Sequence, residues 1–166
     1  LENEVKAVVY DSRKVTPGSM FFCMVGAKWD GHDFCQEVVE KGATTLIVSK
    51  QVENIPEHVT VILVEDTRKA LAYVSSAWFG YPSKELTMIG ITGTKGKTTV
   101  TCLIKSILEQ AGHKVGLIGT IETVIGEKHI PMANTTPEPY ILHQYLREMV
   151  DSGCDTAVME VSSQGL

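Results

Sequence analysis

The pattern with the clearest chemical meaning is a glycine-rich loop, Gly93-Thr94-Lys95-Gly96-Lys97-Thr98-Thr99, between an apolar run and a segment with helical spacing. Glycines let successive backbone N–H groups turn toward one anion, and the first turn of a helix adds partial positive charge. Lys97 would reach the outer phosphates of a nucleotide, and the Thr98 hydroxyl would complete the shell of a magnesium ion. The loop therefore predicts a site for ATP or GTP with Mg²⁺.

One position of this loop departs from the strict phosphate-loop pattern. That pattern has a glycine six places before the lysine, where this chain has Ile91, and Gly90 lies one step further out. The alternative is an ordinary glycine turn with Lys97 as a solvated charge. A Gly-Lys-Thr-Thr run directly between a strand and a helix favours the nucleotide site.

A second chemical candidate is Glu160, within the apolar run of residues 157–161. A carboxylate in a buried strand is costly unless it is paired, protonated or beside a cation, and a metal at the phosphate loop would supply that cation. In a parallel sheet, Glu160 would also lie on the same edge as the loop. A capping or salt-bridged Glu160 on an edge strand fits the position equally well.

Two further places carry polar side chains at predicted element ends. Thr136 is placed to cap a helix whose first residue is Pro137, and with Thr135 it offers two adjacent hydroxyls to a second anion. Ser12 and Arg13 follow the first apolar run, which is a weaker signal because a loop arginine is usually solvated. The histidines have no metal-ligand spacing and are interpreted as surface or structural residues.

Composition limits the classes of partner. The 166 residues include 15 Lys and Arg against 20 Asp and Glu, for a net charge of −5, which disfavours nonspecific binding to nucleic acid or to an anionic membrane. No apolar run reaches the roughly 18 residues of a membrane span. The four cysteines lack CxxC pairing and are predicted to be buried free thiols. No secretory signal is recognised, and a cytoplasmic protein is expected.

The first half of the chain predicts a small α/β domain. Short runs rich in β-branched residues predict strands over residues 5–10, 20–25, 44–48 and 59–64, and helical spacing predicts helices over 34–41 and from 66 or 67 to 79. The stretch Gly80-Tyr81-Pro82-Ser83-Lys84 breaks every pattern. The predicted domains are therefore residues 1–83 and 84–166.

The second half predicts the first part of a phosphate-loop domain with a parallel sheet, because strands alternate with helices. Helix 97–110 is expected to turn Val100, Leu103, Ile104 and Ile107 inward. The other predicted elements are strands 87–92, 115–118 and 156–161, a hairpin turning near Gly126, and a helix over 137–152. The chain stops where such a sheet normally continues, so a fragment of a longer protein is expected.

Taken together, the ordered motifs closely resemble the Mur ligase family, nearest to its members that add the third amino acid of the peptidoglycan stem. The resemblance spans essentially the whole chain. Its motifs are Asp11-Ser12-Arg13-Lys14-Val15, Pro17-Gly18-Ser19-Met20-Phe21-Phe22, Trp29-Asp30-Gly31-His32, the loop of residues 93–99, Asn134-Thr135-Thr136-Pro137-Glu138 and Glu160-Val161-Ser162-Ser163.

The resemblance implies an ATP-dependent amide-bond ligase of bacterial cell-wall synthesis. Its substrates would be UDP-N-acetylmuramoyl-L-alanyl-D-glutamate and a diamino acid, either lysine or meso-diaminopimelate. ATP would phosphorylate the substrate carboxylate, and the amine would attack the resulting acyl phosphate. The residues that choose the diamino acid would lie outside this sequence, and a monomer is expected.

The resemblance also assigns roles to residues. Lys97 and Glu160 would be catalytic, and Thr98 and Glu160 would hold Mg²⁺. ATP would be bound by Gly93, Thr94, Lys95, Gly96, Lys97, Thr98, Thr99 and Asn134, and the UDP-sugar substrate by Ser12, Arg13, Thr135, Thr136 and Ser162.

Two departures from the family pattern matter. Gln164 stands where similar ligases usually have a histidine, and the family's carbamylated lysine and third domain would lie beyond Leu166. The fragment alone is expected to lack ligase turnover. The alternatives are a related folylpolyglutamate- or cyanophycin-type ligase and a non-catalytic nucleotide-binding module.

Overall fold

A computed structural model describes residues 4–26, 29–132 and 136–162. The chain divides into two compact units, Leu1–Val74 and Ser75–Leu166, and each is described by itself. Within the described ranges, no helix is both long and apolar enough to cross a bilayer.

The first unit is built on a sheet of four parallel strands in the order β1-β2-β3-β4. Its core joins Phe21, Val38 and Leu46, which are almost fully inaccessible to solvent. All four predicted strands form, although each is shorter than predicted. The elements are β1 (Ala7–Val9), a 3-10 helix (Ser12–Lys14), β2 (Ser19–Phe22), a second 3-10 helix (Gly31–Phe34), α1 (Cys35–Glu40), β3 (Thr45–Val48) and β4 (Thr60–Leu63).

The next helix, α2 (Thr67–Trp78), contains the division between the two units. Asp66 caps its first turn, since its Oδ1 accepts the N–H groups of Arg68 and Lys69. Just beyond its last turn, the Phe79 ring packs edge-on against Tyr140 in the second unit, with centroids 5.1 Å apart. The division therefore precedes the predicted boundary at residues 83 and 84, because residues before the proline-containing turn already pack with the second unit.

The second unit has a five-stranded mixed sheet in the order β5-β9-β6-β7-β8. Strand β9 is parallel to β5 and β6, while the hairpin adds β7 and β8 in antiparallel fashion. The α/β class is confirmed, and the predicted hairpin extends the sheet. The elements are a 3-10 helix (Pro82–Lys84), β5 (Thr87–Ile91), α3 (Lys97–Gln110), β6 (Val115–Ile118), β7 (Glu122–Ile125), β8 (Lys128–Pro131), α4 (Pro139–Asp151) and β9 (Thr156–Glu160).

The predicted inward face of α3 is wrong at three of its four positions. Val100, Leu103 and Ile107 are 41%, 57% and 65% exposed. The helix instead turns the buried Thr101 inward and packs Ile104 and Leu108 against the sheet. Spacing identified the helix correctly, but two adjacent apolar stripes share its surface, and spacing alone does not select the one that meets the sheet.

The cysteine prediction also needs one correction. All four thiols are free, and Cys23, Cys35 and Cys154 are buried, but Cys102 is exposed on α3. Its position follows from the rotation of that helix, which buries the neighbouring Thr101 instead.

Candidate functional site: a glycine-rich loop beside a buried carboxylate

The glycine-rich loop links the end of β5 to the start of α3. Gly93 and Gly96 have φ angles of +148° and +81°, which residues with a side chain rarely adopt. Gly96 is the N-cap of α3, so no side chain caps the first helical N–H groups. These amides and the positive end of the helix dipole suit an anion. Thr94 and Lys95 are exposed within the loop, and Thr99 is exposed in the first helical turn.

Lys97 turns its side chain back over this loop. Its Nζ donates a hydrogen bond of 2.8 Å to the carbonyl oxygen of Gly93, four residues earlier. The ammonium group thus lies against the loop instead of extending away from α3. The residues expected to bind phosphate are brought together by a single turn of the chain.

Glu160 lies next to the loop and is 1% exposed. It ends β9 and pairs in register with Ile91, the last residue of β5. Its Oε2 accepts a hydrogen bond from the Thr98 hydroxyl at 3.2 Å. The parallel pairing places the two expected metal-binding residues on the same sheet edge, as sequence reasoning anticipated.

Thr120 also contacts Glu160 and was missed by sequence reasoning. Its backbone N–H donates to Oε1 and its hydroxyl donates to Oε2, both at 3.0 Å. The preceding Gly119 is closely packed, since a Cβ there would lie 3.1 Å from Oε1 of Glu160. The available signal was a Gly-Thr pair directly after a buried strand, at the edge where the carboxyl ends of parallel strands meet.

The donor set fits a hard cation that is shared with a phosphate. Mg²⁺ prefers oxygen ligands and is usually held by one or two carboxylates together with water and substrate phosphates. Thr98 and Glu160 provide a hydroxyl and a carboxylate beside the glycine-rich loop. Within the described part of the chain, no cluster of three or more His, Cys, Asp or Glu side chains could hold a metal by itself. The arrangement therefore suits a metal that arrives with a nucleotide.

The structure brings together two residues expected to contact a substrate, Thr136 and Ser162. The Ser162 N–H donates to the Thr136 hydroxyl oxygen at 3.2 Å, and the Thr136 hydroxyl donates to Ser162 Oγ at 3.4 Å. The predicted cap at Thr136 is wrong. Helix α4 begins at Pro139 with Glu138 as its N-cap, because the second proline of the segment takes the first helical position.

Three positions singled out from the sequence, Asn134, Thr135 and Gln164, lie outside the described residues. Ser12 and Arg13 belong to the first unit, in the 3-10 helix after β1. Arg13 donates from Nε and Nη2 to the two carboxylate oxygens of Asp11, at 2.9 and 2.7 Å. These bonds lower the pKa of Asp11 to about 2. The Arg13 side chain is thereby held against Asp11.

A cavity of about 320 Å³ also lies in the first unit, at the carboxyl ends of β2, β3 and β4. Its lining comprises Met24, Val25, Ser49 and residues 65–68. Sequence reasoning missed this cavity, because its walls come from three separate segments of the chain, one of which includes the first turn of α2.

A buried histidine lies beside that cavity. The Ser49 N–H donates to Nε2 of His32 at 3.0 Å, so the ring proton is on Nδ1, which lies 2.5 Å from Oδ1 of Asp30. The other Asp30 oxygen accepts from Lys50 at 2.6 Å. The bond from Lys50, followed by that from the His32 backbone, lowers the pKa of Asp30. His32 thus has hydrogen-bonding partners on both ring nitrogens.

Two family models match this chain. The model described as "Mur ligase family, catalytic domain" covers residues 4–78, and that of the "Mur ligase middle domain" covers residues 91–166. The chain belongs to the Mur ligase family. The first match covers the sheet of the first unit, and the second begins at the last residue of β5 and includes the glycine-rich loop, Thr120 and Glu160.

Similar Mur ligases include two named UDP-N-acetylmuramoyl-L-alanyl-D-glutamate--2,6-diaminopimelate ligase. The protein of Clostridium perfringens (strain 13 / Type A) is 52% identical over 165 residues, which cover 99% of this chain and 34% of the relative. The protein of Geobacillus thermodenitrificans (strain NG80-2) is 44% identical over 164 residues, covering 98% and 33%. The chain therefore spans about a third of the length of these relatives.

Solved Mur ligase structures share the fold. A structure titled as a UDP-N-acetylmuramoyl-L-alanyl-D-glutamate--2,6-diaminopimelate ligase matches with a TM-score of 0.79 at 24% identity, covering 97% of this chain and 32% of that one. The MurF ligase of Thermotoga maritima, crystallised in complex with ADP, matches with a TM-score of 0.61 at 23% identity, covering 98% and 33%. At these identities the likeness concerns the fold alone.

Proposed function

We propose that this Mur ligase chain forms the nucleotide site, and part of the acceptor site, of an ATP-dependent ligase that joins 2,6-diaminopimelate to UDP-N-acetylmuramoyl-L-alanyl-D-glutamate. The observation that carries the proposal is the 3.2 Å bond between Thr98 and the buried Glu160. It unites the glycine-rich loop with a carboxylate on the neighbouring strand. The names of the similar ligases favour diaminopimelate over lysine as the added amino acid.

In this proposal the loop binds the phosphates of ATP. The uncapped amides at the start of α3 donate to phosphate oxygens, and Lys97 leaves Gly93 to neutralise negative charge on the outer phosphates. Thr98 and Glu160 would hold Mg²⁺, and the bound ion would supply neutralisation of the developing charge on the phosphoryl group. The backbone of residues 93–97 fixes the orientation of the nucleotide.

The reaction class follows from the need to activate a carboxylate. A carboxylate is a poor electrophile, so the terminal phosphoryl group of ATP is transferred to its oxygen and ADP leaves. The amine then attacks the acyl carbon, the amide bond forms, and inorganic phosphate departs. Thr136 and Ser162, whose hydroxyls are 3.4 Å apart, would contact the UDP-sugar substrate in the second unit. Ser12 and Arg13 are further proposed contacts of the UDP-sugar.

The first test is calorimetric titration of the chain with ATP and Mg²⁺. Replacing Lys97 by alanine removes the cation that lies over the loop, so the affinity should fall by at least about tenfold. Lys105→Ala is the matched control, because it removes the same charge from the same helix and breaks an exposed ion pair with Glu109. This control variant should bind as the unaltered chain does.

Two results would refute the proposed nucleotide site: no binding of ATP with Mg²⁺ to the unaltered chain, or equal affinities of the Lys97 and Lys105 variants. For the whole reaction, the same two variants of the full-length ligase should separate in turnover. The Lys97 variant should lose ATP-dependent joining of diaminopimelate, and the Lys105 variant should keep it. Equal turnover would refute the catalytic assignment of Lys97.

A further inference from the structure

The Gly119-Thr120 segment follows β6, which flanks β9 on the side away from β5 and the glycine-rich loop, and Thr120 contacts the Glu160 carboxylate. We propose that Thr120 is a positioning residue, which fixes the Glu160 carboxylate and, through it, the direction of the Thr98 hydroxyl. This inference rests on the proposed binding of ATP with Mg²⁺. It assigns to Thr120 a role that neither the glycine-rich loop nor the motif around Glu160 includes.

The first support is that Thr120 contacts both carboxylate oxygens. Its backbone N–H donates to Oε1 and its hydroxyl to Oε2, each at 3.0 Å. A single donor would leave the carboxylate free to rotate about its terminal bond, whereas two donors from one residue fix its plane. The close approach is possible because the preceding residue is Gly119, where a Cβ would lie 3.1 Å from Oε1.

The second support concerns Thr98. A threonine hydroxyl has one proton and two lone pairs. When Thr98 donates that proton to Oε2 of Glu160, its lone pairs must point elsewhere, and a hard cation binds through such lone pairs. Glu160 can direct the lone pairs of Thr98 toward a cation only while the orientation of its own carboxylate is fixed. The hydroxyl of Thr120 donates to the same oxygen as Thr98 does, so the two threonines jointly determine the position of Oε2.

The third support is the difference in burial between the two partners. Glu160 is 1% exposed, whereas Thr120 is an exposed residue at the rim of the sheet. In the described part of the chain, the donors to the carboxylate are uncharged hydroxyl and amide groups. Replacing Thr120 therefore removes a donor to a buried charge without emptying space in the core, and the folded chain can be assayed.

The test measures how strongly Mg²⁺ increases the affinity for ATP, as the ratio of dissociation constants in EDTA and in excess Mg²⁺. Thr120→Val keeps the shape and the backbone N–H but removes the hydroxyl, and should reduce this ratio about tenfold. Thr120→Ser restores the hydroxyl and should return the ratio to within about twofold of the unaltered chain. Thr87→Val, at an exposed threonine that begins β5, is the matched control.

The outcomes separate the inference from the proposed function. A Thr120→Val chain with an unchanged ratio would overturn the positioning role, while Lys97-dependent binding by the unaltered chain would leave the proposed function standing. Equal weakening in EDTA and in Mg²⁺ would also overturn it, because a merely structural change would lower both affinities. If Mg²⁺ does not increase the ATP affinity of the unaltered chain, the metal site of the proposed function fails, and this inference fails with it.

Discussion

The two units differ in how buried polar side chains are paired at the carboxyl ends of their parallel strands. In the first unit, His32 has hydrogen-bonding partners on both ring nitrogens, and its partner Asp30 is also paired with Lys50. In the second unit, the buried Glu160 receives uncharged donors from Thr98 and Thr120. The first arrangement is balanced in charge by its own side chains, whereas the second leaves a carboxylate without an ion-pair partner among the described residues.

This difference separates a structural network from a candidate binding site. Burying an ion is costly unless an opposite charge compensates for it. Asp30 already has Lys50 as that charge, so the network beside His32 stabilises the first unit without a ligand. Glu160 lies beside a loop suited to phosphate, and a cation shared with that phosphate would complete its environment. We therefore expect substitutions in the Asp30, His32 and Lys50 network to affect stability, and substitutions at Glu160 to affect binding.

The largest expected effect on stability comes from replacing one glycine in each unit: Gly31, which precedes His32, and Gly96, which precedes Lys97 and Thr98. At Gly31 a Cβ would lie 2.6 Å from the backbone nitrogen of Met24, and Gly31→Ala should cost about 3 kcal/mol because backbone cannot yield as a side chain can. At Gly96 nothing lies within 4 Å of a Cβ, and only the φ of +81° opposes alanine, so Gly96→Ala should cost about 1 kcal/mol.

Amide hydrogen exchange in β3 and β9 would measure these two stabilities separately. A Gly96→Ala chain that loses more stability in β9 than Gly31→Ala loses in β3 would contradict the contrast between a packed turn and an open loop.

The second prediction compares substitutions of the two buried polar residues, His32 and Glu160. His32→Ala leaves the Ser49 N–H without its acceptor and deprives Asp30 of a donor, at a cost of about 2 kcal/mol. Glu160→Gln keeps one oxygen acceptor, and the hydroxyls of Thr98 and Thr120 can rotate to accept from its amide. This second change should cost less than about 1 kcal/mol, yet it should abolish the Mg²⁺-dependent gain in ATP affinity.

Chemical denaturation and ATP titration of the same two variants would test this division. If His32→Ala weakens ATP binding, or if Glu160→Gln is the more destabilised variant, the assignment of one structural and one functional site is wrong.

The smallest expected effect concerns pH and the ion pair of Lys50 with Asp30. Because the pKa of Asp30 is lower in the folded chain than in the unfolded one, its contribution to stability is complete above the unfolded pKa. That contribution is lost as the pH falls through the folded pKa. Lys50→Met removes the main cause of the lowered pKa, so acid unfolding of the first unit should begin at a higher pH.

Unfolding monitored across the acid range in the first unit would detect this shift of a fraction of a pH unit. The Lys128→Met variant, which removes a surface pair with Glu148 in the second unit, is the control. An unchanged first-unit transition in Lys50→Met, or an equal upward shift in the control, would contradict the role of the Asp30 pair.

Much of the fold follows from local patterns. The strands of both sheets, the helix after the glycine-rich loop and the hairpin at Gly126 were predicted from apolar periodicity and turn residues. The patterns were insufficient where two choices had similar local energies. On α3, either of two apolar stripes could face the sheet. At the start of α4, either of two prolines could take the first helical position, and Pro139 rather than Pro137 does so.

The candidate site shows the same limit. Lys97, Thr98 and Glu160 were predicted because their residue types and strand ends carried a recognisable pattern. The signal for Thr120 was weaker, because a Gly-Thr pair after a buried strand is common, and its two bonds to Glu160 are what distinguish it. The cavity of the first unit was also missed, because its lining comes from segments that are separate along the chain.

The sequence by itself determined which segments become strands and helices, where the glycine-rich loop lies and which residues carry charge, because these depend on neighbours a few positions apart. The tertiary structure decided that β9 inserts between β5 and β6, which places Glu160 between Thr98 and Thr120. Strand order depends on the packing of whole faces against one another. The contacts of a buried carboxylate are therefore fixed only when the sheet has assembled.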